Sequence, residues 1–161
     1  MRAARIAVVA LLALCVAGCG FRLQGRVPLS SSLTITHVAA DDIQSDFVQD
    51  LRRALLAAGV RLAPVRADST AVIEVQRDEL IERIVSISAR NIPREYELTY
   101  VVRIRVLRGD REVLPPEEIA LSRDFSFDER AVLAKEREKE ALRAALASDL
   151  VDIVMRRLSS L

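Results

Sequence analysis

Between residues 95 and 108 the side chains alternate in polarity. Tyr96, Leu98, Tyr100, Val102, Ile104 and Val106 fall on one side, and Glu97, Thr99, Arg103 and Arg105 on the other. A period of two in residues that are largely β-branched or aromatic specifies a strand with one buried and one wet face. Residues 81–88 form a second extended run. Residues 89–94, with Asn91 and Pro93, connect the two, so the pair reads as a long hairpin. Within residues 83–111 seven arginines (83, 90, 94, 103, 105, 108 and 111) stand against Glu95, Glu97 and Asp110. That local surplus of four positive charges sits on a chain whose formal net charge is only +1. The imbalance marks the hairpin as the functional segment.

The rest of the chain supplies what such a hairpin needs to pack against. Residues 33–38 are a short alternating strand containing His37. Asp41 or Asp42 is expected to cap a helix in which Ile43, Phe47, Leu51, Ala54, Leu55 and Ala58 form one apolar stripe, with Gly59 just past its end. Residues 64–69 are a turn, and Thr70 opens a long strand. In it Ala71, Ile73, Val75, Ile81, Val85 and Ile87 share a face that Arg77, Glu79 and Arg83 interrupt. Burying those charges without partners would cost several kcal/mol. Two solutions stay open: a bulge near residues 77–80, or a stretch of sheet that no helix covers.

Gly109-Asp110-Arg111 is a hairpin turn, and Leu114-Pro115-Pro116 is expected to break the chain before a last strand over residues 119–127. Asp128 can cap the next element. Val132-Leu133-Ala134-Lys135 and a charged stretch over residues 136–140 lead into a second helical stripe of Leu142, Ala145, Leu146, Leu150, Ile153, Val154 and Leu158. The predicted fold is α+β, a two-layer α/β sandwich. Two helices pack on one face of a mostly antiparallel four-stranded sheet, in the order β-α-β-β-β-α, and the other face is left to water or a partner.

At 161 residues, 51% apolar and 29% charged, the chain suits one domain that needs no disulfide or metal staple. Both cysteines lie in the first 19 residues. Arg2 and Arg5 precede an apolar run over residues 6–16, too short to cross a bilayer, and residues 1–18 read as a signal segment. Val16-Ala17-Gly18-Cys19 resembles the bacterial lipobox, which implies acyl chains on Cys19 as the first mature residue. Gly20, where aspartate would favour inner-membrane retention, implies the outer membrane. Residues 19–32, broken by Gly25, Pro28 and three serines, are a tether, and residues 33–161 form the single domain. Without residues 1–18 the formal charge is about −1, which does not suit a nucleic-acid binder. All the basic side chains except Lys135 and Lys139 are arginines. The cations on offer are therefore guanidinium groups, which bind phosphate and carboxylate bidentately.

Signatures of catalysis are missing: no glycine-rich phosphate loop, serine elbow or zinc pair occurs. The carboxylate pairs Glu79/Glu82 and Asp124/Asp128 come with no histidine, and His37 has no matched thiol or acid in its vicinity. The expectation is a non-enzyme with no metal and no cofactor beyond the diacylglycerol and N-acyl chain on Cys19.

Four motifs occur in order: Cys19-Gly20-Phe21-Arg22-Leu23-Gln24-Gly25, Arg94-Glu95-Tyr96-Glu97-Leu98, Arg123-Asp124-Phe125-Ser126-Phe127, and Val132-Leu133-Ala134-Lys135. Together they resemble the LPS-assembly lipoprotein LptE family over essentially the whole mature chain. The resemblance implies a small α/β domain held by its lipid at the periplasmic side of the outer membrane. There it would plug the β-barrel LptD, assist its assembly, and bind lipopolysaccharide on its way to the outer leaflet. It also places lipopolysaccharide-binding positions at Arg90, with Arg94 close by, and at Lys135. Lipopolysaccharide carries phosphates near its acyl chains, a boundary that arginines beside apolar side chains suit. Arg103 and Arg105 can equally pair with acids on neighbouring strands, whereas Arg90 and Arg94 sit at a loop tip. Two other classes compete: an auxiliary lipoprotein of an inner-membrane lipid-transport ABC system, and a periplasmic hydrolase.

Overall fold

A computed structural model describes residues 29, 33–127 and 131–161. The expected signal segment, Cys19, nearly all of the tether and the Asp128 cap lie outside the described residues. Strand β1 (Ile35–Ala40) leads to helix α1 (Asp46–Ala57) and a two-residue strand β2 (Arg61–Leu62). A 3-10 turn (Arg66–Asp68) precedes three long strands, β3 (Ala71–Ile87), β4 (Pro93–Arg108) and β5 (Arg111–Ser126), and helix α2 (Val132–Ser159) closes the chain.

The sheet order is β2-β1-β3-β4-β5. β3, β4 and β5 form an antiparallel meander, while β1 runs parallel to both β2 and β3. The sheet therefore has five strands where four were expected, although the α+β sandwich stands. Arg61 and Leu62 are too few to display alternation, and they become a strand only because β1 offers them an edge.

Helix α1 starts later than the aspartates suggested. Ser45 is the N-cap, its Oγ accepting the Val48 amide at 3.2 Å, while Asp42 accepts the Gln44 amide in the preceding turn. Ile43 thus falls before the helix and is half exposed, while Phe47, Val48, Leu51 and Leu55 carry the buried stripe. Gly59 ends the helix at φ +89°, a conformation that side chains bearing a Cβ resist.

Helix α2 packs against α1 as well as β4 and β5, so its buried strip is wider than the sequence stripe. Ala147, Val151 and Met155 join Leu146, Leu150, Val154 and Leu158, whereas Ala145 faces solvent. These side chains meet Ile73, Val75, Leu98, Val102, Ile104 and Val106 in one core on a single sheet face.

Both solutions left open for β3 occur. The register shifts between Val75 and Arg77, so Val75 lies opposite Ile104 on the helix-covered face and Arg77 opposite Arg103 on the other. Ile81, opposite Thr99, consequently leaves the face it was expected to share with Ile73. Beyond Val75, where β1 ends at Ala40, β3 has no neighbour on its outer edge among the described residues. Nor does β5 break at its prolines. An extra residue between Leu114, opposite Val106, and Glu117, opposite Ile104, places Pro115 and Pro116 in a bulge of the edge strand. A missing amide there costs no ladder bond.

Candidate functional site: the hairpin tip

The two longest inner strands make the hairpin a finger. At about 3.3 Å per residue, β3 spans roughly 50 Å, from the core to a turn at residues 88–92. The Ser88 amide donates to the Ile92 carbonyl at 2.7 Å, and the Asn91 amide donates to the Ser88 carbonyl at 2.9 Å. Ser88 Oγ accepts the Ile92 amide at 3.1 Å, and Asn91 adopts φ +62°. Asparagine tolerates that left-handed conformation better than other residues with a Cβ. Arg90 projects from this turn.

Just below it, Ser86 pairs with Glu95 and Ile87 with Pro93, which leaves Arg94 as the extra residue of β4, exposed and without a cross-strand partner in β3. The Arg94 carbonyl still accepts the Phe127 amide at 2.7 Å, tying the end of β5 to the base of the turn. Tyr96 stacks on Phe125 with ring centroids 5.4 Å apart and meets Phe127 edge-on at 5.9 Å. These rings stiffen the base of the tip.

Lys135 reaches the same end from the first turns of α2. Its Nζ lies 2.7 Å from Glu138 and 3.3 Å from Ser126 Oγ, and Ser126 pairs with Glu95. The structure therefore brings Lys135 to the row of residues next to Arg94, with Arg90 beyond them on the turn. Beside them a shallow open depression is lined by Val85, Glu95, Asp124, Phe125 and Ser126.

Three other arginines of the hairpin are engaged elsewhere. Arg83 bonds Glu97 at 2.9 Å and Arg103 bonds Glu118 at 2.9 Å. Arg105 bonds Glu74 at 2.5 Å, and that guanidinium is the main reason the Glu74 carboxyl is held below its ordinary value. Arg108 and Arg111 face each other at the far end of the meander. Arg90 and Arg94 carry no ion pair among the described residues. Of the two alternatives for Arg103 and Arg105, pairing with neighbouring acids is the one realised.

What sequence reasoning missed is the apolar side of the tip. Ile84, Val85 and Ile87 are 51, 52 and 57% exposed, and Leu133 in the first turn of α2 is 80% exposed. The only signal in the sequence is the run of β-branched residues Ile81, Ile84, Val85 and Ile87, which does not say whether anything covers it.

Elsewhere the polar groups look structural. His37 Nδ1 lies 3.0 Å from the Ala63 carbonyl. Asp78 accepts hydrogen bonds from Tyr100 Oη at 2.7 Å and from Ser45 Oγ, joining the start of α1 to the sheet. Burial, then that carboxylate, pushes the Tyr100 phenol above its ordinary value. Among the described residues no cluster of His, Cys, Asp and Glu could hold a metal ion, and no helix is long and apolar enough to cross a membrane.

The family model for LptE, lipopolysaccharide-assembly, matches residues 31–158. The LPS-assembly lipoprotein LptE of Yersinia enterocolitica is 27% identical over 150 residues, covering 92% of this chain and 72% of that one. The solution structure of an uncharacterized lipoprotein B from Nitrosomonas europaea superposes with a TM-score of 0.73 at 28% identity, over 88% of this chain and 91% of that one. The crystal structure of the rare lipoprotein B from Shewanella oneidensis does so with a TM-score of 0.68 at 25% identity, over 78% and 94%.

Proposed function

This chain belongs to the LptE lipopolysaccharide-assembly family, and from that membership we propose a non-catalytic outer-membrane lipoprotein that plugs and helps assemble an LptD-type β-barrel and binds lipopolysaccharide during delivery. Acyl chains on Cys19 would anchor it on the periplasmic side, since two or more chains on one residue hold a protein to a bilayer where one does not. The reading is carried by the tip: among the described residues Arg90 and Arg94 stand exposed and unpaired, with Lys135 alongside, while neighbouring arginines are neutralised. Unpaired guanidinium groups bind phosphate oxygens through charge-assisted hydrogen bonds without first breaking an internal pair.

The uncovered sheet face supports the barrel partnership. Arg77, Glu79, Arg103 and Glu118 form a charge-balanced network there, with Thr99 and Ser122 hydrogen-bonded below it. Such a surface suits the polar, water-filled interior of a large barrel.

The test is affinity purification of the full-length protein from gently solubilised outer membrane, with mass analysis of Cys19. A co-purifying outer-membrane barrel and a triacylated Cys19 are expected. Recovery of the protein alone would refute the partnership, and fractionation to the inner membrane would favour an ABC-system auxiliary instead.

A further inference from the structure

We propose that Ile84, Val85 and Ile87 form an acyl-chain subsite beside the cations of the tip, so that the site takes a phosphate and a hydrocarbon chain of one ligand together. This rests on the lipopolysaccharide reading above and extends it from the headgroup to the chain. Single exposed apolar residues are ordinary on a protein surface. Here, three lie within four residues of one strand end, where the outer edge of β3 has no neighbouring strand among the described residues.

Their placement relative to the cations follows from the register. Ile84 lies opposite Tyr96 on the helix-covered face, yet remains half exposed because neither helix buries it. Ile87 pairs with Pro93, the residue before Arg94. Ser86, Glu95 and Ser126 form the next row across the sheet, and Lys135 contacts Ser126. Ile87 and Arg94, which carries no ion pair among the described residues, thus lie in adjacent rows at the strand end.

The charge selects the occupant. Arg90 and Arg94 call for an anion next to the apolar side chains, and a phosphorylated amphiphile supplies both parts. An acylated, bisphosphorylated glucosamine disaccharide, the membrane end of lipopolysaccharide, has its phosphates and chains joined to the same sugars.

The mature protein, immobilised, is titrated with two soluble probes: a short-chain monomeric lipid A analogue and the same disaccharide bisphosphate without chains. The acylated probe is expected to bind roughly tenfold more tightly or better, as burial of a few methylene groups gives. Combined Ile84→Ser, Val85→Ser and Ile87→Ser should erase that preference and leave the chain-free affinity unchanged. Methionine at the same three positions should retain it, which separates loss of hydrocarbon from loss of fold. Equal affinities of the unaltered protein for both probes would overturn the subsite and leave the phosphate reading standing. Binding of neither probe would overturn both. If the serine variant keeps its preference but loses the barrel or a second copy of itself, the patch is a protein contact and the proposal fails.

Discussion

Replacing Asp78 by alanine tests the joint between helix α1 and the sheet. Asp78 sits on β3 opposite Val102, half-buried, and accepts from Tyr100 Oη at 2.7 Å and from the Ser45 hydroxyl. Tyr100 is only 3% exposed, so its phenol has little access to replacement water. Hydrogen bonds to a charged acceptor contribute about 1.5–3 kcal/mol each, and stranding a buried donor costs about 1–3 kcal/mol. Ser45 is more accessible and keeps its capping bond to Val48, so its share is small. Asp78→Ala should therefore cost about 2–4 kcal/mol, a large part of the stability of a domain this size.

Urea unfolding of the four proteins of a double-mutant cycle with Tyr100→Phe reads the coupling directly. We expect about 2 kcal/mol of coupling, with unchanged m-values. Coupling below about 0.5 kcal/mol would refute the reasoning, since the two changes would then act independently. A phenol whose folded value is raised stabilises the protein fully below its ordinary value of 10.0, and that contribution is lost as the pH climbs towards the folded value. Stability should fall above that pH. In Asp78→Ala the fall should be shallower but still present, because burial is the larger cause of the shift.

Further outcomes are expected elsewhere in the molecule. Arg90→Asp with Lys135→Asp should weaken lipopolysaccharide capture a hundredfold or so by the loss of two charge-assisted contacts. The melting temperature should change little, since Lys135 gives up only its pair with Glu138, about 0.3–0.5 kcal/mol, and a 3.3 Å contact to Ser126 Oγ; unchanged capture would remove both residues from the site. Glu74, held below its ordinary 4.5, stabilises the fold above that value, and the contribution disappears as the pH falls through the folded value. Glu74→Gln should accordingly flatten the acid limb of stability below about pH 4.5, and an unaltered acid limb would show that the pair contributes nothing. Gly59→Ala should destabilise by about 1 kcal/mol in thermal unfolding because of φ +89°, although nothing lies within 4 Å of the added methyl; a neutral result would show that the helix end relaxes.

The legible parts of this protein are those written in short-range periodicity. The inward residues of β4 from Leu98 to Val106 are buried as the alternation requires, with Val101 and Leu107 buried on the other side as well, Gly59 ends α1, and the Phe47–Leu51–Leu55 stripe faces the core. The positions that misled depend on partners. Ser45 displaces Asp41 and Asp42 as the cap because the turn beginning at Asp42 uses its carboxylate before the helix starts. Pro115 and Pro116 are harmless because β5 is an edge strand, a fact about its place in the sheet and not about its composition.

The sequence alone determined that a hairpin with a surplus of arginines exists, that two amphipathic helices accompany it, and that the motifs of one family run along the chain. Only the tertiary structure decided which arginines are free. Arg105 is neutralised by an acid 31 residues away and Arg103 by one 15 residues away, whereas the register slip around Arg94 leaves it none among the described residues. The same holds for Ile84 and Ile87 at the far end of β3, which neither helix covers. Pairing of charges and covering of surface are properties of which strand lies beside which, and local periodicity carries no record of that.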